Sequence, residues 1–263
     1  MSTTHDPVGA ALHAGDLQGA TQAVIAAVRS APRDPGLRWL LAEMFLFSGD
    51  VERADKALAA VLEDRPGPAV LEFRRLLRAD EQRHQVYTQG RLPQFQGDDP
   101  TPAQRAALRA LTLHRAGEAA AALESAAEAE TLRPRIAGTV DGMPFDDFRD
   151  VDDLLSPQLE ILTTGGDNLL VPLERVASLV FDPVRRPRDM LWRRCSLVLR
   201  DGTEGLVFMP MLYPRLGSTD ALRLGRETEW SDDGGPVRGT GLRLWLAGED
   251  AVAATEVTRI DFA

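Results

Sequence analysis

Hydrophobic and polar positions follow two different rhythms along the chain. Through about residue 135, apolar residues recur at helical spacing with few breakers inside each stretch. Within this part the pattern repeats: Gly15-Asp16-Leu17-Gln18-Gly19-Ala20 returns as Gly49-Asp50-Val51-Glu52-Arg53-Ala54, an offset of 34. Gly117-Glu118 lies 68 beyond Gly49-Asp50, and Pro32, Pro66, Pro100 and Pro134 are each 34 apart. Glycine followed by an acid suits a helix end followed by a helix start, and proline ends a helix because it has no N–H for the next bond. After Arg135 short alternating or β-branched runs appear between turn signals, as in half-buried strands.

A period of 34 is the length of a tetratricopeptide (TPR) unit, a helix–turn–helix module. Such units need small residues where the paired helices cross. Ala20, Ala54 and Ala122 fall five residues after the turn glycines, and Ala42 and Ala110 fill the small position of the first helix. The third unit is degenerate. Its turn position is Arg83, so Val70–Gln89 reads as one long helix ending at Gly90. Residues 92–102 read as a proline-rich loop, and helices follow over 103–115 and 118–132. Repeat positions that would line the concave face include Leu12, Trp39, Glu43, Leu46 and Phe47; for Trp39 and Phe47 burial between helices is an equal alternative.

Strands are expected at 136–140, 158–163, 168–171, 178–181, 191–199, 205–208, 222–224, 242–246 and 255–262, with hairpin turns at Gly165-Gly166 and Asp201-Gly202. Close-spaced short strands point to a small barrel or sandwich, and without a βαβ alternation no parallel sheet is expected. The expected fold is therefore α+β in two domains: a TPR-like α-α superhelix over 1–135, then a mainly antiparallel β domain over 136–263.

Charge narrows the range of partners. The net charge is −10. The first part holds 18 acids and 16 bases, the second 22 acids and 14 bases, so −2 and −8. That balance argues against nucleic acid. Lys56 is the only lysine, and its setting rules out a P-loop. Cys195 is the only cysteine, which excludes an internal disulfide and fits a reducing cytoplasm. Met1–Gly9 lacks the features of a signal peptide, and no apolar run approaches a membrane span, so a cytoplasmic location is expected.

The most unusual segment is Phe145–Leu155, where Asp146, Asp147, Asp150, Asp152 and Asp153 crowd together. It lacks the glycine and final glutamate of an EF-hand. A short amphipathic helix presenting Phe148, Val151, Leu154 and Leu155 on one side, its acids in solvent or on arginines, is the simpler reading; a divalent-metal site is the alternative. Arg185, Arg186, Arg188, Arg193 and Arg194 form a basic stretch suited to solvent, to those acids or to a partner's acids. Among His5, His13, His84 and His114, only His84 sits in a Glu-x-x-His pattern, and a di-iron bundle needs two of these. Gly239-Thr240-Gly241 lacks a dinucleotide loop's third glycine. No catalytic set, cofactor motif or metal motif emerges.

Phe145-Asp146-Asp147-Phe148-Arg149-Asp150-Val151-Asp152-Asp153-Leu154-Leu155 resembles a signature of the ImpE/TagJ (SciE-type) family. So do Val171-Pro172-Leu173-Glu174, Arg188-Asp189-Met190-Leu191-Trp192-Arg193 and Val207-Phe208-Met209-Pro210-Met211-Leu212-Tyr213. Asn168-Leu169-Leu170 departs from the pattern, which often has aromatic residues there. The resemblance implies a non-catalytic accessory protein of bacterial type VI secretion. Such a protein binds the N-terminal helix of the small sheath subunit (TssB) and helps recruit the AAA+ unfoldase ClpV. It points to Phe145, Asp146, Asp147, Arg149, Asp150, Asp152, Asp153, Arg188, Asp189, Trp192 and Tyr213 as family-motif positions. A metal-dependent enzyme built on Asp146–Asp153, or a chaperone for a secreted effector, are the competing readings.

Overall fold

The structure is a computed structural model that describes residues 6–64, 67–97 and 99–263; His5 and Pro66 lie outside these. The first part is a run of helices: α1 (Pro7–Ala14), α2 (Leu17–Ser30), α3 (Pro35–Phe47), α4 (Val51–Asp64), α5 (Pro68–Gln89), then, after strand β1 (Gln94–Phe95), α6 (Pro102–Arg115) and α7 (Ala119–Leu132). Asp6, Asp16, Asp34 and Thr101 cap helix starts by accepting backbone N–H bonds. The turn glycines Gly15, Gly49 and Gly117 take φ of 80°, 76° and 82°, the left-handed conformation that closes a helix. Ala20, Ala42, Ala54, Ala110 and Ala122 are all fully buried at helix crossings. Pro32 and Pro134 follow the ends of α2 and α7, whereas Pro100 follows β1 and ends no helix. At the degenerate turn α5 runs straight through Arg83 to a left-handed Gly90.

The second part supplies β2 (Gly138–Val140), β3 (Met143–Phe145), β4 (Phe148–Asp150), β5 (Gln158–Thr163), β6 (Asn168–Pro172), β7 (Val176–Phe181), β8 (Trp192–Leu199), β9 (Glu204–Pro210), the short helix α8 (Asp220–Arg223), β10 (Thr228–Trp230), β11 (Gly239–Gly241), β12 (Leu244–Ala247), β13 (Asp250–Ala253) and β14 (Arg259–Phe262). Nine strands form one open sheet in the order β1-β6-β5-β9-β8-β7-β14-β2-β3; β13-β12-β4 form a second sheet and β10-β11 a ribbon. The sheet does not close into a barrel. All pairings are antiparallel except β1 with β6, where Gln94 and Phe95 of the expected loop join the sheet in parallel.

Alternation along the strands sends side chains to two different cores. One face of the large sheet, with Leu159, Ile161, Cys195, Leu197, Val207 and Met209, packs against Phe148 and Trp245 of the three-stranded sheet. On the opposite face, Leu162, Trp192 and Phe208 pack into a cluster with Phe45, Phe73 and Leu76 of the helices. The helical and β parts thus share an apolar core.

Two expectations fail for local reasons. Residues 222–224 are not a strand: Thr219 accepts the Leu222 N–H and starts α8. The acidic segment is not a helix. Asp150 accepts the N–H of Asp152, and Asp152 accepts that of Leu154, so the side chains hold the backbone in turns after β4.

Candidate functional site

The acids of the Phe145–Leu155 segment diverge to separate partners. Exposed Asp146 meets Arg135 at 3.2 Å. Asp147 accepts two bonds from Arg133, at 2.8 and 2.6 Å, and these hold its carboxyl below the usual range against the opposing effect of burial. Arg149 joins Asp153 at 2.7 Å to Glu130 of α7 at 3.0 Å. Asp152 accepts from Arg238 Nε at 3.2 Å and from the Gly239 N–H at 3.0 Å. The segment is a joint between α7, β4 and the later loops. Among the described residues no group of three or more acids, histidines or cysteines is placed to hold a metal ion.

Asp150 leads into a second, deeper network. It accepts from Arg243 Nη1 at 3.1 Å and from the Tyr213 hydroxyl at 3.0 Å, while Arg243 Nη2 also bonds Glu160. Fully buried Glu160 further accepts from Arg83 at 3.2 and 3.1 Å and from the Tyr87 hydroxyl at 2.8 Å. Burial alone would raise the Glu160 carboxyl; Arg83 and Arg243 outweigh it and hold it at about 2. At Asp150 burial wins over Arg243 and pushes the carboxyl up to about 7. The same Arg83 donates to the Leu212 carbonyl at 2.8 Å and faces Asp80 at 3.5 Å.

Arg83, Tyr87, Glu160 and Arg243 were absent from the sequence-derived set. One signal was available: Arg83 interrupts the turn position of a repeat, on a helix whose neighbouring buried positions include Leu76, Leu77, Val86 and Tyr87.

Arg188 is buried with its guanidinium 4.6 Å from the Phe73 ring centre and 5.3 Å from that of Trp39. Burial lowers it to about 10. Trp192 meets Phe73 edge-on at 5.9 Å, and Asp189 accepts the N–H groups of Arg185 and Arg186. Glu43 is buried with Trp39 Nε1–H donating to it at 3.0 Å, and burial raises its carboxyl to about 7. Arg193, of the basic stretch, is tied to the Asp182, Ala254, Thr255 and Val257 carbonyls.

The five positions assigned to a concave face divide accordingly. Leu12 and Trp39 are half-buried, and Glu43, Leu46 and Phe47 are buried. The described residues do not present all five on one open face, because part of the helical concavity is filled by the chain itself. Phe47 packs with Val8, Leu17, Met44 and Leu224, the last contributed by the residue after α8.

Among the described residues, Trp39 and Glu43 border one shallow opening with Arg186 and Pro187, and Leu46 and Phe47 border another, a cleft of about 450 Å³ between the α3–α4 turn and α5 on one side and residues 212–223 on the other. Leu46, Leu191, Trp192, Leu212 and Leu222 supply apolar lining. Leu216 is 55% exposed at its rim, lying over Gly49, where a Cβ would come within 2.7 Å of Leu216 Cδ2.

A family model described as "ImpE protein" matches residues 142–261, and a tetratricopeptide-repeat model matches residues 11–77. The type VI secretion system accessory component TagJ of Pseudomonas aeruginosa is 30% identical over 95% of this chain and 89% of its own length. The chain belongs to the ImpE/TagJ family. A crystal structure of a Vibrio parahaemolyticus protein is similar to this ImpE-family fold across 98% of both chains, with a TM-score of 0.91 at 27% identity. Among the described residues no helix is long and apolar enough to cross a membrane.

Proposed function

We propose that this ImpE-family chain is a non-catalytic adaptor of a type VI secretion machine. In this reading it binds the N-terminal helix of the small sheath subunit, a TssB-type protein, and helps bring a ClpV-type AAA+ unfoldase to the sheath. The observation that carries the reading is the near full-length similarity to TagJ, a type VI accessory component. Tetratricopeptide repeats support it, since stacked helix pairs present side chains at fixed spacing to a partner helix or peptide. The chemistry of the acidic segment agrees: its carboxylates join structural elements through arginines.

Titration calorimetry of the full chain with a peptide of the sheath small subunit's N-terminal helix tests the sheath interaction. The adaptor reading predicts saturable binding with a Kd below about 100 μM. No heat at that concentration, together with no co-sedimentation with assembled sheath, contradicts it. ClpV recruitment is tested by whether the chain increases the amount of unfoldase retained on sheath.

A further inference from the structure

The cleft between the α3–α4 turn and residues 212–223 has a division of charge at its rim. Its helical wall carries Asp50, Glu52, Asp80, Glu81, Arg83 and His84, and its opposite wall carries Arg215 and Arg223. Asp50 pairs with Arg53 at 3.4 Å and Asp80 with Arg83 at 3.5 Å, which leaves Glu52 and Glu81 as the open acids. Glu52 has only a 4.0 Å approach to Lys56, and Glu81 accepts a neutral amide bond from Gln85 at 2.9 Å. Among the described residues Arg215 makes no ion pair. Glu52 and Glu81 therefore give the helical rim an acidic edge beside an apolar floor.

Part of the backbone lining the other wall is already in use. The Leu212 carbonyl takes Arg83, the Tyr213 N–H donates to Gly241, and the Met211 carbonyl accepts from Arg243. With these groups of residues 211–213 bonded within the chain, recognition by the side chains of the cleft is favoured. Apolar floor, side-chain walls and opposed charges together match a helix laid in a groove.

We infer that this cleft is the docking site for an amphipathic partner helix. Its apolar stripe covers Leu216 and the Leu46–Leu191–Leu212 floor, its basic flank faces Glu52 and Glu81, and an acidic residue faces Arg215. The inference rests on the adaptor reading and gives the sheath helix a location. About 450 Å³ lies within the ~300–1,000 Å³ of ordinary ligand sites, so a few anchoring side chains enter the cleft while the rest of the helix stays outside. Rim charges of this kind make association fall with salt.

The test uses the full chain and the same sheath-subunit peptide, with three variants: Leu216→Asp, the charge reversal Glu52→Lys/Glu81→Lys, and Leu132→Asp, an exposed residue of α7 that does not line the cleft. All three sites are at least partly exposed, and thermal melting of each variant checks its fold. Leu216→Asp and the charge reversal are expected to weaken binding about tenfold or more, with Leu132→Asp unchanged. Recovery of the charge-reversed variant by a peptide with its basic residues changed to glutamate would support the proposed orientation. If wild type binds and the cleft variants bind equally well, the site is wrong and the adaptor reading stands. If wild type does not bind, both fall.

Discussion

Removing the carboxylate of Glu160 leaves Arg83 and Arg243 in the interior without their shared counter-charge. Breaking such a buried pair from one side costs about 3–5 kcal/mol, so urea unfolding of Glu160→Gln should show a loss of that order; a loss under about 1 kcal/mol would mean the network is not what joins α5 to the sheet. Titration gives a second handle. Glu160, held at about 2, contributes stability that is present above its unfolded value of 4.5 and is lost as pH falls toward 2. Asp150 and Glu43, raised to about 7, act in the opposite sense: the folded chain keeps their protons longer, a gain complete below their unfolded values of 3.8 and 4.5 and lost as pH rises through 7. Stability from these two groups should decline between about pH 4 and pH 7. Glu43→Gln, which still accepts from Trp39, should remove roughly 1–3 kcal/mol of that decline, read from melting curves at both pH values. At this scale the acids were legible from sequence as groups needing arginines. Which arginine was not, because Asp150 and Arg243 are 93 residues apart and only the tertiary fold joins them.

Helix pairs and strands follow local chemistry more closely. Ala54 is fully buried at a crossing, so Ala54→Leu should cost about 1–3 kcal/mol through overpacking, measured by chemical denaturation; a neutral effect would show that the repeat crossing is loose. The period of 34 was readable because glycine, alanine and proline positions are set by turn geometry and close approach, which act within one unit. Hairpins at Gly166 and Gly202 were readable for the same reason, both glycines having positive φ. Two elements were not. Leu222–Leu224 is too short for its period to distinguish helix from strand, and Thr219 capping decided it. Phe148, Leu154 and Leu155 have helical spacing and are all buried, yet Asp150 and Asp152 bond the backbone directly and turn the chain.

Across the whole molecule, the expected division at residue 135 understates how the parts join. Gln94 and Phe95 of the first part add to the sheet of the second, Trp192 and Phe208 complete a helical core, and Leu224 covers Phe47. Sequence patterns could define the two rhythms but not this contact, because the faces involved are ordinary apolar stripes on each side. The consequence bears on function: part of the groove that a repeat array would leave open is filled by its own chain, and the cleft beside the α3–α4 turn is bounded by both parts. Hydrogen exchange of the full chain, with and without the sheath small subunit, tests this most directly. The account predicts slowed exchange at residues 46–52 and 212–217 and little change in strands β7–β9. Slowed exchange confined to those strands, or no change anywhere at saturating subunit, would contradict it.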